Sequence, residues 1–224
     1  MAGVLDIADK YDLAGLRATL ASRFEGDWPK SLSEWDQVEG IREAFENSRC
    51  FISRKTWPED LLPEPVSAAR LAIQLKNPSL LTAVFYDLYR CRNDVDWDST
   101  PTKTCLPLTK GARWQIANAE IYQTLWRLQQ LLETRSAADL HRTLGYSDNC
   151  SMCKSLDVCQ NVYTKKFYTT VHEILLSRDP LKVFRELGCW AVSSGLCSYC
   201  KDVVMANSWA ARRDTWEAIE LLFQ

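Results

Sequence analysis

The chain has 224 residues, which is long enough to bury a substantial core in one large domain or two small ones without crosslinks. Hydrophobic residues make up 46% and charged residues 25%, and these globular values exclude wholesale disorder. The formal net charge of −2 excludes the strongly basic surface that a phosphate backbone or an anionic membrane attracts, so nucleic acid is an unlikely partner.

The start of the chain and its cysteines predict the cellular compartment. Residues 1–6 show no basic segment followed by a long apolar run, and no uncharged window of about 18 residues offers a membrane span. We therefore expect a soluble, intracellular protein of the cytoplasm or nucleus. In that reducing environment the nine cysteines are expected to be metal ligands and small buried hydrophobes, because disulfides are rare there.

The first quarter of the chain is predicted to form three helices. Apolar spacing predicts a short helix over 4–11, and Asp12 is expected to cap a second helix that ends at Gly26. Ser31 and Glu34 have the spacing of a capping box, which predicts the start of a third helix. The apolar faces of the second and third helices are predicted to contain Leu13, Leu16, Leu20, Phe24, Trp35, Val38, Ile41 and Phe45.

The middle of the chain alternates loops and helices. Three prolines between positions 56 and 65 predict an extended loop, and helix is expected to resume near Val66. Asn77 and Pro78 have the residue types of an N-cap and a first helical position, which predicts a helix with an apolar face reaching Tyr89. The acidic segment 92–110 is expected to be a loop.

The second half of the chain is also predicted to be helical. The longest apolar pattern covers 112–135, after which Ser136 is expected to cap a shorter helix that Gly145 ends. Further helices are predicted over 162–176, from Pro180 to Gly188, and from about 200 to 223. No alternating β pattern of useful length is present, so the predicted fold class is all-α with an irregular multi-helix architecture.

The cysteines of the last third of the chain predict a metal site. Cys150 and Cys153 form one C-x2-C pair, and Cys197 and Cys200 form another. Two such pairs supply the four thiolates of a tetrahedral structural zinc. Other members of the cysteine-rich region could substitute for one of the four, or the whole group could consist of small buried hydrophobes. The substitutes are Cys159, Cys189 and His172, with His141 as a more distant choice for a Cys3His site.

No pattern of catalytic residues accompanies these cysteines. His141 and His172 lack nucleophile or carboxylate partners at informative spacing, so the sequence predicts no catalytic residue, no small-molecule cofactor site and no enzyme. Asp94, Asp96 and Asp98 alternate as calcium ligands do, but the glycine and glutamate of a calcium loop are missing. An enzyme that uses the cysteine or metal chemistry of region 150–200 remains the alternative, and a transcriptional regulator is a second one.

Nine tryptophans raise the question of a partner surface. Aromatic residues dominate both cores and interaction hot spots, so most of the nine are expected to be core residues. We expect a partner site, if there is one, near the loop residues Trp57 and Trp97 or on the last helix near Trp209 and Trp216.

Several segments of the chain together resemble one known family. They are Ala8–Leu16, Trp28-Pro29 with Trp35-Asp36, Ala68–Leu75 leading into Ala83–Tyr89, Asp96-Trp97, and the late cysteines before a last helix. In this order they resemble the BTB/POZ-domain-containing proteins of mushroom-forming fungi, in the helical region that follows the BTB fold. The β-rich core that would precede Val4 in that family is missing.

The resemblance implies a fold and a role. It implies a helical region similar to a BACK domain, which positions partner-binding elements, and hence a non-enzymatic protein-binding or adaptor function. It divides the chain into 1–26, resembling the closing helices of a BTB domain, 27–145, a BACK-like region, and 146–224, a cysteine-rich helical segment. These three segments are expected to form one continuous globular unit.

Overall fold

The computed structural model describes residues 10–47, 63–99, 111–144, 152–153 and 155–224. Within these ranges it contains eight α-helices, two short 3₁₀ turns and one isolated β-bridge between Asp96 and Ala112, with no strand. The predicted all-α class is therefore confirmed. The helices are α1 (Ala14–Gly26), α2 (Leu32–Asn47), α3 (Pro65–Leu75), α4 (Pro78–Arg90), α5 (Ala119–Leu144), α6 (Leu156–Ser177), α7 (Pro180–Ser193) and α8 (Ser198–Leu222).

Several helix starts lie where the capping residues predict them. The side chain of Asn77 accepts a hydrogen bond from the backbone N–H of Leu80 at the start of α4, and Asp179 accepts one from Lys182 at the start of α7. Ser31 accepts one from Glu34 before α2, as its half of a capping box requires. Each of these side chains satisfies a backbone donor that the first helical turn leaves without a partner.

Four predicted helix boundaries are wrong, and one of them is the start of α6, which lies at Leu156 instead of 162. The helix predicted to break at Ser136 is continuous as α5, and it begins at Ala119, after a 3₁₀ turn at Trp114–Ile116. Gly188 does not end its helix, because α7 continues to Ser193. Ser136 and Gly188 are both buried, so tertiary packing outweighs their weak local preference for helix ends.

The predicted start and apolar face of α1 also need correction. Asp12 makes no side-chain cap, because Leu13 occupies the N-cap position of α1. Phe24 is buried, but Leu13 and Leu16 are exposed, and Ile41 on α2 is exposed as well. Residues 4–9 of the first predicted helix and the side chain of Phe45 lie outside the described part of the chain, and Tyr11 is exposed.

The chain divides into two compact units. The N-terminal unit contains Met1–Leu128 and Glu220–Gln224, and the C-terminal unit contains Gln129–Ile219. Both boundaries fall inside a helix, α5 or α8. The division into 1–26, 27–145 and 146–224 stays a prediction.

The core of the N-terminal unit is formed mainly by α3 and α4. The side chains of Leu80, Val84, Phe85 and Leu88 on α4 are completely buried, and this confirms the predicted apolar face. Outside that face, Arg90 forms ion pairs with Glu39 of α2 and with Asp87, both at 2.9–3.0 Å. The Arg90 guanidinium also lies 4.7 Å from the ring centroid of Trp35. The carboxylate of Glu39 on α2 is therefore buried beside its arginine partner.

The core of the C-terminal unit is built from α5 to α8. Its buried members include Leu140, Leu144, Cys159, Tyr163, Phe184, Leu187, Ala191, Leu196, Cys200, Val204 and Ala211. Helices α7 and α8 pack closely, since a Cβ on Gly188 would lie 3.5 Å from the Cβ of Ser208. Two cysteines are thus integral members of this core.

Candidate metal centre

The sulfur atoms of four cysteines in the C-terminal unit lie close together near the N-termini of α6 and α8. Cys153 precedes α6, and Cys159 lies near the start of that helix, where its backbone N–H donates to the carbonyl of Ser155. Cys197 immediately precedes α8, and Cys200 lies in its first turn. The positive ends of two helix dipoles are therefore near the sulfurs, which favours thiolates there.

The spacing of the sulfurs is compatible with a tetrahedral metal site. The Sγ atoms of all four cysteines lie within 4.8 Å of one another. The Sγ atoms of Cys153 and Cys197 are 3.8 Å apart. Two sulfurs that each lie about 2.3 Å from a tetrahedral zinc are about 3.8 Å from each other. These four cysteines could therefore bind a metal ion.

Hydrogen bonds fix the positions of the two buried cysteines. The backbone N–H of Cys197 donates to Sγ of Cys159 at 3.3 Å, and the Tyr163 hydroxyl donates to the carbonyl of Cys200 at 3.3 Å. An N–H directed at a ligand sulfur is an outer contact that stabilises the charge of a metal-bound thiolate. The cluster thus has supporting contacts in addition to the four sulfurs.

The two cysteines that lie deepest are poor anions without a metal. Burial raises the pKa of Cys159, although the N–H of Cys197 acts in the opposite direction. Burial also raises the pKa of Cys200, and the neighbouring sulfurs of Cys153 and Cys197 raise it further. A bound divalent cation would reverse this preference, because metal coordination replaces the thiol proton.

The structure brings together three of the four cysteines that the sequence selects. Cys153, Cys197 and Cys200 are in the cluster, and its fourth member is Cys159, which the sequence names as a substitute. Cys150 lies outside the described residues. Cys189 and His172 are not members of the cluster, and neither is His141, which is exposed and lies edge-to-face with Phe167.

The burial pattern of α6 is the signal that distinguishes Cys159. Cys159 and Tyr163 are one helical turn apart, and both are buried. In the sequence the same positions contain a cysteine and an aromatic residue at i, i+4 spacing, which places them on one face. The C-x2-C rule depends on short spacing alone, so it gives preference to Cys150 instead.

The other residues that the sequence selects have mixed surroundings. Trp209 is exposed by 51% and Trp216 is buried, so of these two side chains Trp209 is the one a partner could reach. The partner site itself stays a prediction. Trp97 is half-buried, and Trp57 lies outside the described residues. In the acidic loop, Asp98 accepts three hydrogen bonds from Arg113, and Asp94 pairs with Arg92, so each of these carboxylates has an arginine partner.

Comparison with known proteins adds no relative. No protein-family model, no curated protein and no solved structure matches the chain. Among the described helices, none has both the length and the apolar character that crossing a membrane requires.

Proposed function

We propose that the chain is a non-enzymatic protein-interaction module whose C-terminal unit is stabilised by one structural zinc ion. The observation that carries the zinc site in this proposal is the convergence of four cysteine sulfurs within 4.8 Å of one another. Four thiolates would complete the coordination shell of zinc, and a complete shell is the mark of a structural site.

Zinc is favoured over other metals by the ligand type. Soft thiolates select zinc or iron among the abundant metals, while carboxylate and carbonyl ligands suit magnesium and calcium. Cys159 and Cys200 are members of the core of the C-terminal unit, and Cys153 and Cys197 pack against it, so a redox-inactive ion would join the segment before α6 to the start of α8. An iron-containing protein would be coloured, so its absorbance would separate the two metals.

The properties of the cysteines favour a structural role over catalysis. A cysteine nucleophile needs a lowered pKa, whereas burial raises the pKa of both Cys159 and Cys200. A catalytic zinc needs a coordination position that no protein ligand occupies, whereas four cysteines are available here. The site therefore favours a role in holding the unit together.

Exposed aromatic side chains support an interaction role for the C-terminal unit. Tyr168 on α6 is exposed by 70%, and Trp209 on α8 by 51%. Large aromatic side chains are enriched at binding hot spots, because they bury much area with few rotatable bonds. The membership in the BTB/POZ family and the adaptor role that the resemblance implies stay predictions.

Affinity capture with matched variants tests the interaction role. Trp209→Ala removes an exposed aromatic from the C-terminal unit, and Trp126→Ala removes one of similar exposure from the N-terminal unit. The proposal expects a specific protein that wild type and Trp126→Ala capture and that folded Trp209→Ala captures at least about tenfold less. Failure to recover any specific partner under several conditions would contradict the interaction role.

A further inference from the structure

The four sulfurs of the cluster differ in their access to solvent. Cys159 and Cys200 are 0% and 1% exposed, whereas Cys153 and Cys197 are half-buried. The two half-buried cysteines are also the pair whose Sγ atoms are 3.8 Å apart. An oxidant from solvent would therefore meet two neighbouring sulfurs before it met the other two.

We propose that peroxide oxidises Cys153 and Cys197 to a disulfide and thereby releases the metal ion. This inference rests on the proposed zinc site, since it concerns the regulation of that site. In this proposal Cys153 and Cys197 react, whereas Cys159 and Cys200 stay reduced.

The oxidation is balanced with hydrogen peroxide as the two-electron oxidant. One of the two thiolates attacks the O–O bond and becomes a sulfenic acid, and hydroxide leaves. The second thiolate attacks the sulfenic sulfur, so the S–S bond forms and a second hydroxide leaves. Four protons are consumed in total: two convert the hydroxides to water, and two protonate the remaining thiolates as zinc departs. The peroxide is reduced to two waters, and two cysteines are oxidised.

The position of this pair in the chain favours the reaction. Cys153 and Cys197 are 44 residues apart, so their disulfide would not close a short strained ring. Their sulfurs must approach from 3.8 Å to about 2.05 Å, which side-chain rotation can supply where the backbones are suitably placed. The competing pair Cys197 and Cys200 would use a buried sulfur as the second thiolate.

The oxidised unit would keep most of its contacts. Zinc loss leaves Cys159 and Cys200 as neutral thiols in an apolar core, where burial already disfavours their charge. The new disulfide would keep the segment before α6 joined to the start of α8, as the metal does. We therefore expect reversible zinc release with little loss of helix.

The test uses zinc-loaded full-length protein with two other cysteines removed. The variant Cys150→Ser/Cys189→Ser leaves Cys153 as the single cysteine of tryptic peptide 143–154. Cys197 and Cys200 share tryptic peptide 186–201, so fragmentation of the crosslinked peptides between these two residues assigns the partner of Cys153. Zinc content is measured first, and hydrogen peroxide is then added while a colorimetric chelator records free zinc. Peptide mass spectrometry without reduction identifies the disulfide, and circular dichroism records the helix content.

The expected result is one zinc released for each Cys153–Cys197 disulfide, with Cys159 and Cys200 open to alkylation only after denaturation. Dithiothreitol with added zinc should then restore the starting state. Retention of zinc while other side chains oxidise would overturn the inference and leave the zinc site intact, as would release with any other pairing. If the protein contains no zinc before peroxide is added, both the inference and the zinc site fail.

Discussion

The backbone N–H of Cys197 donates a hydrogen bond to Sγ of Cys159, 38 positions earlier in the chain and 3.3 Å away. This contact joins the residue that precedes α8 to the beginning of α6. This hydrogen bond supports the membership of Cys159 in the cluster, which the position of its sulfur also indicates. A sulfur that accepts a hydrogen bond from an N–H is stabilised as a thiolate.

Cys159→Ser tests the ligand set directly. We expect this variant to lose stoichiometric zinc and the C-terminal unit to melt at a lower temperature, because serine cannot replace a thiolate ligand. The matched control is Cys150→Ser, which should keep one zinc per chain because four cysteines already suffice. Zinc per chain by inductively coupled plasma mass spectrometry decides between them. Loss of zinc in Cys150→Ser, with zinc retained in Cys159→Ser, would instead show that Cys150 is the ligand, as the C-x2-C spacing alone predicts.

Arg90→Met tests the buried ion cluster of the N-terminal unit. The variant leaves Glu39 and Asp87 as buried carboxylates with one charged neighbour fewer, and removal of one member of such a pair costs about 3–5 kcal/mol. Chemical denaturation measures the loss in the free energy of unfolding. The control Arg92→Met removes an arginine from a solvent-exposed pair with Asp94 and should change little. Equal effects of the two variants would show that burial does not determine the strength of the pairing.

The same cluster predicts a dependence of stability on pH. Burial disfavours the charge of Glu39, but Arg90 and Arg42 outweigh it and hold its pKa below the ordinary value of 4.5. The ionised carboxylate therefore stabilises the fold above pH 4.5, and this contribution is lost as the pH falls below 4.5 through the lowered pKa.

Comparison of wild type with Glu39→Gln isolates that contribution. We expect the variant to be less stable at neutral pH and the difference to shrink as the pH falls below 4.5. Hydrogen exchange of peptides from α2 and α4 gives the stability of this part of the chain at each pH. A difference that is constant between neutral and strongly acid pH would contradict the predicted lowering of the Glu39 pKa.

Two glycines should respond in opposite ways to alanine. A Cβ on Gly188 would lie at an ordinary contact distance of 3.5 Å from Ser208, so Gly188→Ala should stabilise α7 by up to about 1 kcal/mol. A Cβ on Gly111 would lie 2.8 Å from both the carbonyl oxygen and Cγ1 of Val95, so Gly111→Ala should cost about 1–3 kcal/mol. Thermal melts of the two variants measure both effects. A stabilised Gly111→Ala would contradict the close approach of its segment to Val95.

The fold was predictable from the sequence where a local signal decides the structure. Asn77 and Asp179 each precede a proline, and such pairs specify a helix start through contacts within one turn. Ser136 and Gly188 have no such effect, because their positions depend on packing against other helices. The burial of Glu39 likewise depends on its pairing with Arg90, 51 residues later in the chain. No local sequence pattern predicts a contact over that separation.

The candidate site was predictable in its chemistry but not in its full membership. Thiolates in the last third of the chain indicate a tetrahedral metal, and Cys153, Cys197 and Cys200 follow from the two short spacings. The inclusion of Cys159 depends on the rotation of α6, which turns this residue and Tyr163 toward the core. The spacing of the cysteines in the sequence does not predict how α6 is rotated.

The number of zinc ions per chain shows directly whether the four cysteines form a structural zinc site. Native mass spectrometry of protein never exposed to chelator gives the stoichiometry, and a melt with and without chelator shows whether the metal stabilises the fold. We expect one tightly bound zinc whose removal lowers the melting temperature of the C-terminal unit. Metal-free protein with the same melt in both conditions would contradict it, and the four cysteines would then be packing residues of the core.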